Sequence, residues 1–225
     1  MWFLNIASWQ DLVINLAVRL FIILGILPLH ELAHGWMARK LGDNTAYEQG
    51  RLTLNPMAHI DWLGAAAIIL IGFGWAKPVP VNPMRFRDQK NRKRGMALTA
   101  LAGPVSNLLA ALAAGLILRI ILCFPVSGSA AYYVVMAFYS IISINVGLAV
   151  FNLLPIHPLD GSRILGWLLP DRWLYTLEKN SQYFMIGIMV LVFSGLLDGP
   201  LNFLRSCIIN GIFGLWDLLF GIFGL

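Results

Sequence analysis

Leu29-His30-Glu31-Leu32-Ala33-His34-Gly35 sets two histidines and a glutamate inside an apolar run that extends from about residue 11 to residue 40. On a helix, residues four apart share a face, so His30 and His34 can present their imidazoles to one metal ion. Glu31, beside the first of them, can reach a water at that metal as general base. Zinc suits two neutral imidazoles, and a catalytic site adds a third protein ligand while leaving one position for water. The residues directly downstream offer no such ligand, so it has to come from elsewhere in the chain.

The run around the motif has the length of a membrane span. Arg19 and Arg39 bracket its apolar centre, and twenty residues at 1.5 Å rise cover about 30 Å, one hydrocarbon thickness. By the same rise His30 lies about 14 Å from the Arg39 end, within the membrane. Ionisable residues are costly there, so their clustering indicates function. Pro28, one turn before the motif, frees the carbonyl of Leu24 and predicts a kink.

The composition extends this reading to the whole chain. Its 225 residues are 59% hydrophobic and 12% charged, with a mean hydropathy of +0.75. Several apolar stretches approach or exceed about 20 residues, so the chain reads as an all-α polytopic membrane protein. The net charge of +5 reflects basic cytosolic loops rather than a nucleic-acid partner. Cys123 and Cys207 provide neither a disulfide framework nor a zinc-type pair. The N-terminus lacks the basic region and cleavage site of a signal peptide, so the first helix is expected to stay. No polar stretch is long enough for a soluble regulatory domain. One integral membrane domain over 1–225 is expected, with a core at about 11–165 and C-terminal helices at about 166–225.

Beyond the first span, residues 41–61 are polar and turn-rich, and residues 62–73 are apolar but too short to cross a bilayer. The segment that follows places prolines at 78, 80 and 83, which forbids a helix and favours extended backbone. Residues 62–83 therefore predict a partial entry into the membrane followed by an extended or β-hairpin element. The basic run Arg85, Arg87, Lys90, Arg92, Lys93 and Arg94 reads as a cytosolic anchor loop. Residues 96–123 and 130–154 form the second and third spans, 183–197 a marginal fourth. The pattern leaves open whether the tail, with Gly-Ile-Phe-Gly-Leu at 211–215 and 221–225, spans or lies in the interface.

Basic residues concentrate at 39–61, 76–95 and 163–180, which places those loops in the cytosol. The first and third spans then run in the same direction. Asp160, after the helix-breaking Pro155 and Pro158, comes to the depth of His30 and His34 and is the candidate third ligand.

This pattern resembles the site-2 protease family of intramembrane metalloproteases, in its short prokaryotic form without a PDZ or cystathionine-synthase-like domain. The resemblance rests on His30-Glu31-x-x-His34, on Asn152 eight residues before Asp160-Gly161, on Gly103-Pro104-x-Ser106-Asn107, and on the Gly-Trp-Ala-Lys-Pro-Val-Pro-Val-Asn-Pro stretch ending at Pro83. It implies zinc, one ion per chain, held by His30, His34 and Asp160, with Glu31 as base and Asn152 positioning or polarising the scissile peptide. It also implies that Gly74, Trp75, Lys77, Val79 and Val81 receive an unwound transmembrane substrate as an added strand. The expected location is a prokaryotic cell membrane, with the active site toward the cytosol and a membrane-protein substrate as partner. His157 departs from the family pattern and is expected at the surface rather than on the metal. Ser106 and Asn107 are expected to pack and hydrogen-bond, and His59 to be structural. A metal transporter would distribute ligands along a path, whereas these cluster. An inactive scaffold of the same fold would have no use for Glu31.

Overall fold

The computed structural model describes residues 9–124 and 129–222. Helix α1 (Trp9–Phe21), a π-helical stretch (Ile22–Ile26) and α2 (Leu27–Lys40) form the first long rod. The π turn sits where Pro28 would drive its ring into the carbonyl four residues back, and the Leu27 N–H reaches the Ile22 carbonyl instead. The disturbance expected at Pro28 thus takes the form of one widened turn just ahead of it.

A short α3 (Thr45–Glu48) leads to α4 (Trp62–Ile71), which has ten residues. Asp61 caps its start by accepting the Gly64 N–H at 2.8 Å. Gly72 closes it in the left-handed region at φ 75°. A Cβ on Gly64 would stand 2.1 Å from the Trp75 carbonyl oxygen, and one on Gly74 would stand 2.1 Å from the Gly64 oxygen. Only glycine permits this contact of backbone on backbone, which folds residues 72–82 back along α4. Arg19 fixes the same helix from α1: its guanidinium donates to the carbonyls of Ile68 (3.2 Å) and Ile69 in the last turn of α4.

The remaining elements are α5 (Arg92–Leu122), α6 (Ser129–Asn152), α7 (Asp160–Leu168), α8 (Asp171–Lys179), α9 (Ser181–Phe193) and α10 (Asp198–Ile222). Helix α5 is the hub and packs against α2, α6, α7 and α10. Ala111 and Ala114 of α5, Ile142, Val146 and Val150 of α6, and Ile209 and Ile212 of α10 form one apolar core. A second joins Ile22, Ile23 and Ile26 to Ile68 of α4. Alanines on α5 let the neighbouring helices approach closely.

Among the described residues, four helical stretches are long and apolar enough to cross a bilayer: Leu12–Lys40, Arg92–Leu122, Tyr132–Asn152 and Asp198–Ile222. The protein is a multi-pass membrane protein, and large apolar side chains such as Leu109, Leu70 and Ile222 face outward at 59–75% exposure. Two sequence expectations change. The fourth helix long and apolar enough to cross is α10, in the tail that the pattern left open, whereas α9, at the marginal fourth span, has 13 residues. The β-hairpin is absent, since no strand occurs among the described residues and residues 73–82 are extended without a ladder. Pro78 and Pro80 have no N–H. The Lys77 N–H goes to the His59 carbonyl (2.8 Å) and that of Val79 to Glu31 (2.9 Å). The three basic loops do meet at one end, through Arg87 N–H on the Leu41 carbonyl (2.8 Å) and the Lys93–Asp171 ion pair (2.6 Å).

Candidate metal centre and its cavity

Four residues along α2, His30 and His34 point their rings at α5, and both are buried. Their Nε2 atoms lie 3.0 Å apart. Asp160, at the start of α7, places Oδ2 3.2 Å from His30 Nε2 and 3.3 Å from His34 Nε2. Ligands about 2.05 Å from a tetrahedral zinc stand about 3.3 Å apart, so the triangle has the dimensions of three zinc ligands.

The outer contacts fix which ring atoms face inward. His34 Nδ1 lies 2.7 Å from the Thr99 carbonyl oxygen, which can only accept, so Nδ1 carries the proton and Nε2 presents a lone pair. Asn107 lies with its side-chain amide 3.3 Å from His30 Nδ1. With the amide nitrogen facing the ring, Oδ1 is buried without a partner. Turning the amide over lets Oδ1 accept the His30 Nδ1–H, satisfies both groups and leaves Nε2 for the metal. Asp160 Oδ2 is likewise buried without a hydrogen-bond partner. Three acceptor atoms converging at this distance repel one another unless a cation lies between them, and the residues therefore fit zinc.

Two glycines permit the arrangement. A Cβ on Gly103 of α5 would stand 2.5 Å from His34 Nε2 and 2.6 Å from His30 Cε1. A Cβ on Gly161 would stand 2.3 Å from the carbonyl oxygens of Leu153 and Leu154, so the Asp160-Gly161 step starts α7 directly against the end of α6.

Glu31 belongs to the same cluster: one carboxylate oxygen and one ring nitrogen each of His30 and His34 lie within 4.8 Å of one another. Its Oε2 accepts the Val79 N–H at 2.9 Å. Arg51 secures the extended segment from its other side, donating to the carbonyls of Lys77 (2.7 Å) and Pro78 (3.2 Å). Burial pushes the Arg51 guanidinium below its ordinary value, with the Glu31 carboxylate pulling the other way.

Glu31, His34, Asp160 and Asn152 line a cavity of about 640 Å³, and Gly74, Trp75, Val79 and Val81 form part of its wall. Lys77 is not among its lining residues. Asn152 Nδ2 donates to the Leu148 carbonyl at 3.0 Å, leaving its second N–H and Oδ1 for other partners. His157 is half-buried and belongs to neither the metal cluster nor the cavity wall. His59 is buried and bonds the Thr53 carbonyl at 2.8 Å, the structural role expected. Thr99 and Arg51 went unmarked in the sequence, because nothing local shows which backbone or carboxylate they face.

Comparison with known proteins bears on this geometry. The profile of peptidase family M50 matches residues 119–195. Three curated relatives carry the name "Putative zinc metalloprotease". YwhC of Bacillus subtilis is 43% identical over 165 residues, 72% of this chain and 74% of its own length. Rip2 of Mycolicibacterium smegmatis is 28% identical over 76% of this chain and 65% of its own length. MJ0611 of Methanocaldococcus jannaschii is 31% identical over 61% and 63%. No solved structure matches significantly. The family match, these relatives and the His-Glu-His cluster together make the chain a zinc metalloprotease by class. The chain belongs to peptidase family M50, the site-2 protease family of zinc metalloproteases.

Proposed function

We propose that the protein is an intramembrane endopeptidase that hydrolyses a peptide bond within or near a transmembrane segment of another membrane protein. The observation that carries the proposal is the placement of Glu31, His34 and Asp160 on the wall of a cavity bounded by spanning helices. The reading assigns one zinc ion to His30, His34 and Asp160 and turns the site toward the cytosol, where the basic loops lie.

A helical peptide bond is shielded by its own hydrogen bonds, so the substrate has to unwind before attack. The extended wall at Gly74, Trp75, Val79 and Val81 supports binding of such an unwound chain. Zinc, when bound, supplies a Lewis acid that polarises the scissile carbonyl and acidifies the attacking water. Glu31 takes the proton from that water with the oxygen not engaged by Val79, and returns it to the leaving nitrogen as the C–N bond breaks. The Val79 N–H holds the carboxylate in orientation for both transfers. Asn152 hydrogen-bonds the substrate backbone beside the scissile bond. Clustering of the ligands in one place disfavours transport, and Glu31 on the cavity wall disfavours an inactive scaffold.

The test is cleavage of a model transmembrane substrate by purified protein in detergent. Wild-type protein is expected to release two fragments and Glu31→Gln none, with equal zinc content in both. Cleavage that survives Glu31→Gln would overturn the proposal.

A further inference from the structure

Helix α7 adds one basic residue to the cavity wall, and the contacts at the two ends of the helix fix its direction. At the start, Asp160 meets the histidines beside Thr99 and Gly103 of α5. Just past the end, the Leu169 carbonyl accepts from Lys93 Nζ at 2.8 Å, at the head of α5. The helix thus runs from the metal centre toward the end where the basic loops meet. Arg163 lies three residues after Asp160, about 4.5 Å of rise, on the same side of α7. It is exposed, lines the cavity, and makes no hydrogen bond or ion pair among the described residues.

The charges on that wall specify the guest. Among the described residues, Glu31, Asp160, Asp198, Arg163 and Arg205 are the Asp, Glu, Lys and Arg side chains that line the cavity. With zinc bound, its two charges offset Glu31 and Asp160, and Asp198 and Arg205 cancel in the count. Arg163 is the charge left over, so the wall attracts an anion. Its guanidinium is a planar fork of donors that matches a carboxylate. An unwound chain leading from the metal toward the basic end extends about 3.3 Å per residue. A side chain within about three residues of the scissile bond therefore comes within reach of Arg163. Resting on the protease reading above, we infer that Arg163 is a specificity residue. It receives the carboxylate of an Asp or Glu about one to three residues from the scissile bond, on the side of the substrate that faces the basic end.

The test uses the zinc-loaded Glu31→Gln protein in nonionic detergent and fluorescent, end-capped Leu/Ala-rich transmembrane peptides with a single Asp, Asn or Lys scanned along the segment. At one position the Asp peptide is expected to bind about threefold to tenfold tighter than its Asn counterpart, between the gain of an exposed ion pair and that of a charge-assisted hydrogen bond. Arg163→Gln is expected to remove that preference, and Arg163→Glu to turn it toward Lys at the same position. Lys90→Glu, the same charge change on an exposed loop residue, is expected to leave it in place. Wild-type protein with the same peptides, and mass spectrometry of the products, locates the cleaved bond relative to that position. Equal binding of the Asp and Asn peptides at every position, a preference that survives Arg163→Gln, or one lost equally with Lys90→Glu overturns the subsite. A preference that inverts with Arg163→Glu, with no peptide cleaved by wild-type protein, supports the subsite and counts against the protease reading.

Discussion

Replacing Gly103 by alanine tests whether contact with α5 sets the metal geometry. The added Cβ would lie 2.5 Å from His34 Nε2 and Cε1 and 2.6 Å from His30 Cε1, where ordinary contact begins at 3.4 Å. Both rings would have to retreat by roughly 0.9 Å. Zinc ligation tolerates about 0.2 Å, and the ligand triangle, with sides of 3.0 to 3.3 Å, already has the dimensions of the ion's shell. Zinc affinity should fall at least tenfold to hundredfold, as it does when support of a ligand is lost. Overpacking should also destabilise the fold by about 1–3 kcal/mol. Competition against a chromophoric chelator reads the first effect and thermal unfolding in detergent the second. The opposite sign is available: alanine is favoured over glycine in a helix by about 1 kcal/mol. A Gly103→Ala protein that is more stable and binds zinc as wild type does would show that the histidines have slack and refute the reasoning.

Three further substitutions address separate contacts. Asn107→Leu removes the acceptor for His30 Nδ1–H and is expected to weaken zinc about tenfold to hundredfold, with Asn107→Asp recovering part of the loss in the same competition assay. Arg19→Met strips the Ile68 and Ile69 carbonyls of their donor and should cost about 1–3 kcal/mol, read by thermal unfolding, with a smaller loss for Arg19→Lys. Val79→Pro deletes the N–H that holds Glu31; turnover of a model substrate should fall while zinc content stays at the wild-type level, and unchanged kcat would remove Val79 from the account.

The three residues of the candidate metal centre, which the structure brings together, were legible in the sequence from one local motif and from the order of the spans. His30 and His34 declare themselves by helical spacing, and Asp160 by its depth beside two prolines. The extended run after α4 was equally plain from Pro78, Pro80 and Pro83. What went wrong there was the hairpin: the sequence cannot show that the Lys77 and Val79 N–H groups are already taken by His59 and Glu31. Helix α10 was hidden because Asn202, Arg205 and Asp217 dilute its hydropathy. In the fold, Asp217 pairs with Arg119 (3.4 Å), and Trp216 beside it donates to the Leu112 carbonyl (3.1 Å). Asn107 was read as a packing and hydrogen-bonding residue; that its partner is His30 depends on the register of α5 against α2, which no periodicity encodes.

The central claim, that His30, His34 and Asp160 together hold the catalytic zinc, is tested most directly by the metal content of purified protein. Elemental analysis should find about one zinc per chain in the wild-type protein and in Glu31→Gln, and a large loss in His30→Ala, His34→Ala and Asp160→Ala, each checked for folding. Wild-type protein without stoichiometric zinc, or an Asp160→Ala variant that keeps it at full affinity, would contradict the account.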